Sequence, residues 1–313
     1  MRFLAYAPSL ASFLCCLVAP GAFAQAHAEP INLELVKALW IEGTDNLEPS
    51  GLTMRDGELY GVCDNHGDTI FRITLGDETA QMIPHITFDT APLNLSARMD
   101  LEGIAPGPDG GFFVVSETQF RVAFISADGK QVMWVTPSLR AVGQEAGLFA
   151  QDGAWFEGLT VLGEPTANPM AQHFLLCAER QPRGFVEADC TVEPPRLRAT
   201  VQKTSLIPLL RVPDYTDLWR EGDRLYALVR NADAVVPFTW EDGRATEQAV
   251  WSYREIVWRE ELRFENMLFG QGEGLCMDAE NVYICFDTGN DGHAQDPSDK
   301  RPLLLVLKRP AAP

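Results

Sequence analysis

A short phrase, consisting of an acidic residue, a glycine and an aliphatic residue, recurs along this sequence and constrains its fold more than any other feature. A turn and an aromatic-rich apolar run follow each copy, and the run ends on a polar residue. The copies begin at Glu48, Glu102, Glu157, Asp217 and Glu273, of which the Asp217 copy is degenerate. Successive copies are about 55 residues apart, a regular period that is typical of repeat architectures.

Each repeat contains four short runs of β-type sequence separated by turn signals. In the second repeat these runs are 101–105, 111–116, 121–126 and 131–136, and turns such as Pro108-Asp-Gly110 lie between them. Four antiparallel strands per repeat predict an all-β fold, a β-propeller of five four-stranded blades. A six-bladed propeller is the alternative if the stretch 180–215 contains a degenerate blade.

The segments before the first copy and after the last repeat phrase together complete about one repeat. We therefore expect one propeller domain over residues 27–313, with its last blade closed by both termini through strands at 33–41 and 303–307. The segments 162–172, 181–199 and 288–302 are predicted to be loops, and 253–262 a short helix or an outer strand.

Residues 1–26 have the pattern of a secretory signal peptide. Arg2 precedes an apolar run, and Ala22, Ala24 and Ala26 fit two cleavage sites. An uncleaved membrane anchor is the alternative, although the apolar run is shorter than the roughly 20 residues that a span needs. The pattern predicts a periplasmic or secreted protein with no membrane span after signal cleavage.

The chain is strongly acidic, with a formal net charge of -19 and a sequence pI near 4.6. This charge excludes nucleic acid and anionic membranes as favourable partners. An acidic surface that keeps an exported protein soluble accounts for most of it. We expect a monomer whose partner is a small-molecule ester or phosphoester.

Five cysteines follow the predicted signal peptide, and an oxidising compartment permits disulfides. Cys177 and Cys190 bracket a proline-containing loop and form the preferred pair, with Cys276–Cys285 as a second candidate. Cys63 lies in an apolar run and is expected to be a buried, inert thiol. Because no C-x2-C spacing occurs, a structural zinc site has no support.

The recurring acids are expected to converge at one mouth of the channel, because the start of a blade's first strand and the end of its second strand lie at the same end. Hard cations such as Ca2+ bind six to eight oxygen ligands, so the convergence predicts a calcium site. The alternative is that the glutamates accept backbone N–H bonds from neighbouring blades while Arg98, Arg180 and Arg230 neutralise them. The predicted metal ligands are Glu48, Asp64, Glu102, Glu117, Glu157, Glu179, Glu273 and Asp287.

Two histidines lie close to these acids in similar segments, His66 after Asp64 and His293 after Asp287. Blades one and five are neighbours in a closed ring of five, so we predict that these histidines approach each other and act as general acid and base. Solvated loop histidines are the alternative. Arg180 is the third catalytic candidate. The segment 287–298 is not an EF-hand, because Gly289 and Ser298 replace required ligands.

The motifs at Phe156-Glu-Gly-Leu-Thr160 with 175–180, and at Glu273-Gly-Leu275 with 283–287, resemble the family "esterase-like activity of phytase". The chain more weakly resembles the SdiA-regulated propeller family. The first resemblance implies a secreted, calcium-dependent hydrolase of phosphoric or carboxylic esters. Few basic residues at the mouth argue against phytate as substrate, and no G-x-S-x-G motif supports a serine esterase. The alternative function is a non-catalytic propeller that binds calcium, a small molecule or a protein.

Overall fold

Strands dominate the structure, a computed structural model that describes residues 29–203, 205–207, 214–267, 270–289 and 291–311. The predicted signal peptide lies outside these residues. The α-helices among them are short, α1 (Arg140–Ala146) and α2 (Arg254–Val257). Neither is long and apolar enough to cross a membrane. Helix α2 falls within the segment predicted as a helix or outer strand, whereas α1 was not predicted.

The strands of the described residues are short and follow one another through tight turns. They are β1 (Ile31–Asn32), β2 (Glu34–Gly43), β3 (Pro49–Arg55), β4 (Glu58–Cys63), β5 (Thr69–Leu75), β6 (Thr79–Thr87), β7 (Leu101–Pro106), β8 (Phe112–Ser116), β9 (Arg121–Ile125), β10 (Val132–Trp134), β11 (Phe156–Val161), β12 (His173–Ala178), β13 (Gly184–Asp189), β14 (Arg196–Val201), β15 (Asp217–Glu221), β16 (Arg224–Val229), β17 (Ala234–Glu241), β18 (Arg244–Glu247), β19 (Trp251–Ser252), β20 (Gly272–Met277), β21 (Asn281–Phe286) and β22 (Leu303–Lys308).

Consecutive strands pair antiparallel into four-stranded units. Units one to four are β3–β6, β7–β10, β11–β14 and β15–β18, and the short strands β19 and β1 extend unit four. Unit five combines β20, β21 and β22 with β2, in which Glu34 pairs with Lys308 and Trp40 with Leu303. The strands predicted at 33–41 and 303–307 therefore pair with each other. The prediction of an all-β fold with four-stranded units is confirmed.

The first strands of the five units contact one another in cyclic order: β3 with β7, β7 with β11, β11 with β15, β15 with β20, and β20 with β3. The glycines of the repeated phrase make this approach sterically feasible. A Cβ on Gly103 would lie 2.8 Å from the Cα of Gly158, and a Cβ on Gly158 would lie 2.5 Å from the Cα of Asp217. Only a residue without a side chain lets two backbones come this close.

Apolar side chains fill the space between neighbouring units. Phe113 of unit two packs edge-on against Phe174 of unit three, with ring centroids 5.0 Å apart. Leu52 of unit one and Leu304 of unit five likewise share one cluster. The hydrophobic core is therefore divided among the interfaces between units, and each unit depends on its neighbours for burial.

The segment 181–199 is not the predicted loop, because it contains β13 and the first part of β14, the outer strands of unit three. The loop was predicted because the segment is rich in proline, but its prolines lie outside the strands. Pro194 and Pro195 lie in the turn between β13 and β14, and Pro182 precedes β13. Within the described part of 180–215, the strands thus complete unit three and form no sixth unit.

All five cysteines among the described residues are buried and free, so the predicted Cys177–Cys190 bridge is wrong. Cys177 packs in the cluster between units three and four, whereas Cys190 packs in the cluster between units two and three. The sheet of unit three therefore separates the two thiols. Cys276 and Cys285 share one cluster without forming a disulfide. Cys63 is buried as expected, and burial raises the pKa of its thiol to about 12.

Candidate functional site

A β-bulge begins the first strand in units one, two, three and five. The strand register shifts just before the glycine of each phrase, which leaves Ser50, Glu102, Glu157 and Glu273 without a cross-strand partner. A bulge leaves its extra residue out of the ladder and re-aims the side chain. In three units that extra residue is the glutamate of the phrase.

In units one and four, the acid of the repeated phrase does not hold the position that Glu102, Glu157 and Glu273 hold in the other units. Ser50, not Glu48, occupies the bulge position of unit one, and Asp217 pairs with Leu228 in the place that glycine holds elsewhere. Glu48 instead corresponds to Asp100, because the carbonyls of both accept the N–H of the acid that ends the second strand. The distance in sequence to the glycine, rather than the presence of an acid, marks equivalent positions.

A cavity of about 310 Å³ lies where the first strands start and the second strands end. It contains all eight acids predicted as metal ligands, together with Arg180. Its lining consists of Glu48, Ser50, Asp64, Glu102, Glu117, Gly153, Glu157, Glu179, Arg180, Arg230, Gly270, Glu273 and Asp287. We call it the acidic cavity. The structure thus brings the predicted carboxylates together, and their roles stay predictions.

Burial and mutual repulsion favour the protonated forms of these carboxyls. Burial, followed by the charges of Asp287 and Glu48, raises the pKa of Asp64 to about 8. Burial raises the pKa of Glu117 to about 7, with a further contribution from Asp100. Burial also raises the pKa of Asp287 to about 6. Full ionisation is therefore unfavourable unless a positive charge compensates it.

The glutamates at the three bulge positions respond in the same direction. Burial and the charge of Glu117 raise the pKa of Glu102 well above its ordinary value, and burial and Glu102 do the same to Glu157. Burial raises the pKa of Glu273 to about 7, although Arg230 opposes the increase.

Two acids that line the acidic cavity form a candidate cation site with a third acid, Asp100, that lies beside them. One carboxylate oxygen from each of Asp64, Asp100 and Glu102 lies within 4.8 Å of the others. Asp64 Oδ1 is buried and has no hydrogen-bond donor among the described residues. An oxygen-only ligand set fits Ca2+ or Mg2+ rather than a softer metal. Asp100 was missed by the sequence reasoning, although its spacing to Gly103 equals that of Glu48 to Gly51.

Arginines neutralise the acids on the other side of the acidic cavity. Arg230 follows β16 at the position where units one, two, three and five carry an acid. It donates hydrogen bonds to Glu179 and Glu273, and its Nε lies 2.9 Å from Asp214 Oδ2. Burial alone lowers the pKa of Arg230, but the charges of Glu273 and Asp214 raise it well above its ordinary value. Arg180 pairs with Glu179.

The compensation is therefore unequal across the cavity. Around Asp64, Asp100 and Glu102, the ion pair found among the described residues is Arg98 with Asp100, at 2.8 Å. The side chain of Arg98 is 61% exposed, so water screens its charge. A cation would restore the balance on this side.

Asp217 lies where the first strands meet and is fully buried. Its carboxylate accepts the N–H groups of Leu275 at 2.7 Å, Leu218 at 2.8 Å and Leu52 at 3.3 Å. Asp217 thus joins units one, four and five. The alternative role considered for the glutamates, accepting backbone N–H bonds from other units, is performed by this aspartate and by Glu117, whose Oε1 accepts the N–H of Trp155 in unit three at 3.2 Å.

Neither predicted catalytic histidine lines the acidic cavity. His66 Nε2 lies 3.0 Å from the carbonyl of Asp45, and the ring lines an adjoining cavity of about 690 Å³ that shares Glu48 with the acidic one. His293 is 5% exposed and packs between Trp40 and Phe264. The structure thus places neither histidine in the lining of the acidic cavity, because the segment after Asp287 folds back onto β2. Their predicted role as general acid and base stays a prediction.

Residues 48–193 match the family model "Phytase-like: Esterase-like activity of phytase". Over these residues the chain is similar to that family. The phytase-like segment runs from β3 past β13, and it supplies Asp64, Asp100 and Glu102 as well as Arg180. The search among curated proteins gave no match.

Solved structures of propeller proteins share the fold at low sequence identity. Glutaminyl cyclase from Myxococcus xanthus is 11% identical, with a TM-score of 0.50 over 89% of this chain and 97% of that chain. Virginiamycin B lyase from Staphylococcus aureus is 10% identical, with a TM-score of 0.43 over 88% of this chain and 99% of that chain. The likeness to the cyclase concerns the fold alone.

Proposed function

We propose that this chain is a metal-dependent hydrolase of phosphoric or carboxylic esters that works at the acidic cavity. The observation that carries the proposal is the cluster formed by Asp64 and Glu102, which line the acidic cavity, together with Asp100 beside them. The cyclic contacts of the first strands support a closed propeller of five blades around this cavity.

Calcium is the proposed ion, held by Asp64, Asp100 and Glu102 with Asp287 and Glu48 nearby. The ligands are hard oxygens, and an exported protein meets abundant Ca2+. A divalent ion bound there supplies Lewis acidity toward a carbonyl or phosphoryl oxygen. The raised pKa values of the surrounding carboxyls support the need for such an ion.

Glu117 is the proposed general base. It lines the cavity, its pKa of about 7 suits proton transfer near neutral pH, and the Trp155 N–H donates to its Oε1 at 3.2 Å. Its place in the cavity favours it over His66 and His293. Arg180, whose side chain is 26% exposed, is proposed to contact the negatively charged group of the substrate. The adjoining cavity at Glu48 offers room for the rest of the substrate.

A substrate panel tests this proposal. Phosphomonoesters, phosphodiesters and acyl esters are assayed with excess Ca2+ and with chelator, for the wild type and for Asp64→Asn, Glu102→Gln and Glu117→Gln. We expect turnover only with Ca2+, and we expect each of the three variants to lower it at least about 100-fold. Asp77→Asn, a matched change at an exposed acid, should leave turnover unchanged.

Two results would count against hydrolysis. Turnover that is unaffected by chelator would remove the metal from the reaction. A large calcium-induced rise in the melting temperature without turnover of any ester would favour the non-catalytic alternative, a propeller that binds calcium or a ligand.

We further propose that the protein is periplasmic or secreted, because its N-terminal sequence has the signal-peptide pattern. We propose that it acts there as a monomer.

A further inference from the structure

The lining of the acidic cavity carries many more negative than positive side chains. Eight acids line it, whereas the basic residues in its described lining are Arg180 and Arg230. Two positive charges from these arginines and two from a bound divalent ion leave the eight acids in excess by four charges. An acid in excess is either ionised, and then repels an anion, or protonated, and then carries no charge. In neither state does it supply the positive charge that an anionic substrate requires.

Both arginines are already engaged by carboxylates. Arg230 donates to Glu179 and Glu273, and its Nε donates to Asp214 Oδ2 at 2.9 Å. Only 13% of the Arg230 side chain is exposed, and Arg180 pairs with Glu179. A phosphate group is bound strongly where guanidinium N–H groups are available to make paired hydrogen bonds to it. The acidic cavity therefore offers the dianion of a phosphomonoester little compensation for the repulsion of the acids.

A carboxylic ester avoids this repulsion, because its reacting end is uncharged. As the oxygen of water bonds to the ester carbonyl carbon, Glu117 accepts a proton from that water. The carbon–alkoxy bond then breaks and the departing oxygen receives the proton, so the products are an alcohol and a carboxylic acid. Near neutral pH the acid loses its proton to solvent and becomes an anion, which the acidic cavity repels.

We propose that the acidic cavity selects by charge: its substrates are carboxylic esters that are uncharged at the reacting end, not phosphomonoesters, and it expels their anionic products. This inference rests on the proposed hydrolase function and narrows it to one substrate class. The negative charge that Arg180 contacts is then the oxyanion that forms on the carbonyl oxygen during the reaction. The adjoining cavity of about 690 Å³ has space for the rest of such an ester, since small-molecule sites span roughly 300–1,000 Å³.

The first test compares two esters that have the same leaving group, p-nitrophenyl acetate and p-nitrophenyl phosphate, on the calcium-loaded mature chain. Release of p-nitrophenolate measures both reactions. We expect kcat/KM for the phosphate to be at least about 100-fold lower than for the acetate.

The second test isolates the effect of charge from that of chemical reactivity. Benzamide and benzoate have nearly the same shape and differ by one charge, and ligand-observed NMR measures their affinities whether or not any ester is hydrolysed. We expect calcium-loaded protein in dilute buffer to bind benzamide on the order of tenfold more tightly, and about 1 M NaCl to reduce this preference. Glu157→Gln removes an acid from the lining and should also reduce it. Glu164→Gln, at an exposed acid of the same unit, should not.

Three results would overturn the proposal: benzoate binding as tightly as benzamide, no binding of either, or p-nitrophenyl phosphate cleaved as efficiently as p-nitrophenyl acetate. Calcium-dependent cleavage of the phosphate would leave the hydrolase proposal standing while this one fails. A salt-sensitive preference for benzamide without turnover of any ester would remove the hydrolase and retain the charge selection by the cavity. If Glu157→Gln does not fold, the salt dependence of the wild-type preference decides the question.

Discussion

Calcium affinity is expected to fall steeply as the pH decreases below 8. Asp64 belongs to the candidate cation site, and its pKa is raised to about 8 by burial and by the charges of Asp287 and Glu48. A carboxyl with that pKa is ionised in about one molecule in a hundred at pH 6 and in about half at pH 8. A cation that requires the carboxylate therefore binds about 50-fold more weakly at pH 6.

Isothermal titration with CaCl2 measures this effect directly. Titrations at about pH 6 and 8, each in two buffers of different ionisation enthalpy, give both the affinity and the number of protons released. We expect release of about half a proton or more per ion at pH 8, and nearly one at pH 6, from Asp64 alone. Asp64→Asn should bind weakly at both pH values, and Asp77→Asn should behave as wild type.

An affinity that is the same at both pH values would show that the ionisation of Asp64 does not limit calcium binding. So would binding without proton release, because it would show that the carboxylates are already ionised in the absence of the ion. A strong pH dependence that persists in Asp64→Asn would assign the titration to another group, such as Glu117 or Asp287.

Further predictions concern stability and processing. In the presence of chelator, the melting temperature should fall as the pH rises from about 4 to 8, because the pKa of Asp64 in the folded protein lies above its unfolded value of 3.8. Scanning calorimetry should show a smaller fall when Ca2+ is present. A calcium-free protein that gains stability over this pH range would contradict the prediction. Arg230→Met should cost about 3–5 kcal/mol in urea unfolding, because it leaves Asp214 and Glu273 without their cation. Arg224→Met, at an exposed arginine, should change stability by less than about 0.5 kcal/mol. Equal effects of the two substitutions would show that the buried ion pairs contribute nothing. Asp217→Ala should lower the free energy of unfolding by on the order of 3 kcal/mol or more, since three buried N–H groups lose their acceptor. Hydrogen exchange at Leu52 and Leu275 should accelerate. Unchanged exchange at these residues would show that Asp217 does not join units one, four and five. Mass spectrometry of the exported protein should find its N-terminus at Gln25 or His27, and an intact Met1 would support the membrane anchor instead.

The period of the repeat was sufficient to predict the strand units and the approximate location of the acids. The period shows which residues recur, and the glycines mark the positions where neighbouring backbones lie close together. Glu102, Glu157 and Glu273 could therefore be placed at the start of the first strands from the sequence. Glu48 and Asp217 were put at equivalent positions because they are acids. The structure shows that Ser50 holds the bulge position in unit one, and that Asp217 holds the position of the glycine in unit four.

Contacts that depend on irregular segments were beyond this reasoning. His293 is buried against Trp40 because the segment after Asp287 returns to β2, and no periodic pattern encodes such a return. The Cys177–Cys190 pairing failed for a related reason, since closeness in sequence does not reveal which face of a sheet each thiol occupies. Arg230 was named from the sequence as an arginine that neutralises the glutamates, and it does contact Glu179 and Glu273. It stands alone among acids at its position in the repeat.

The pairing of β2 with β22 makes the order of synthesis matter. Glu34 emerges among the earliest residues of the described chain, but its partner Lys308 is among the last. Until that partner arrives, β2 has a bare edge, and such edges invite aggregation. A chain truncated before Leu303 would therefore lose β22, the strand that joins β2 to β21, and would expose one edge of each of them.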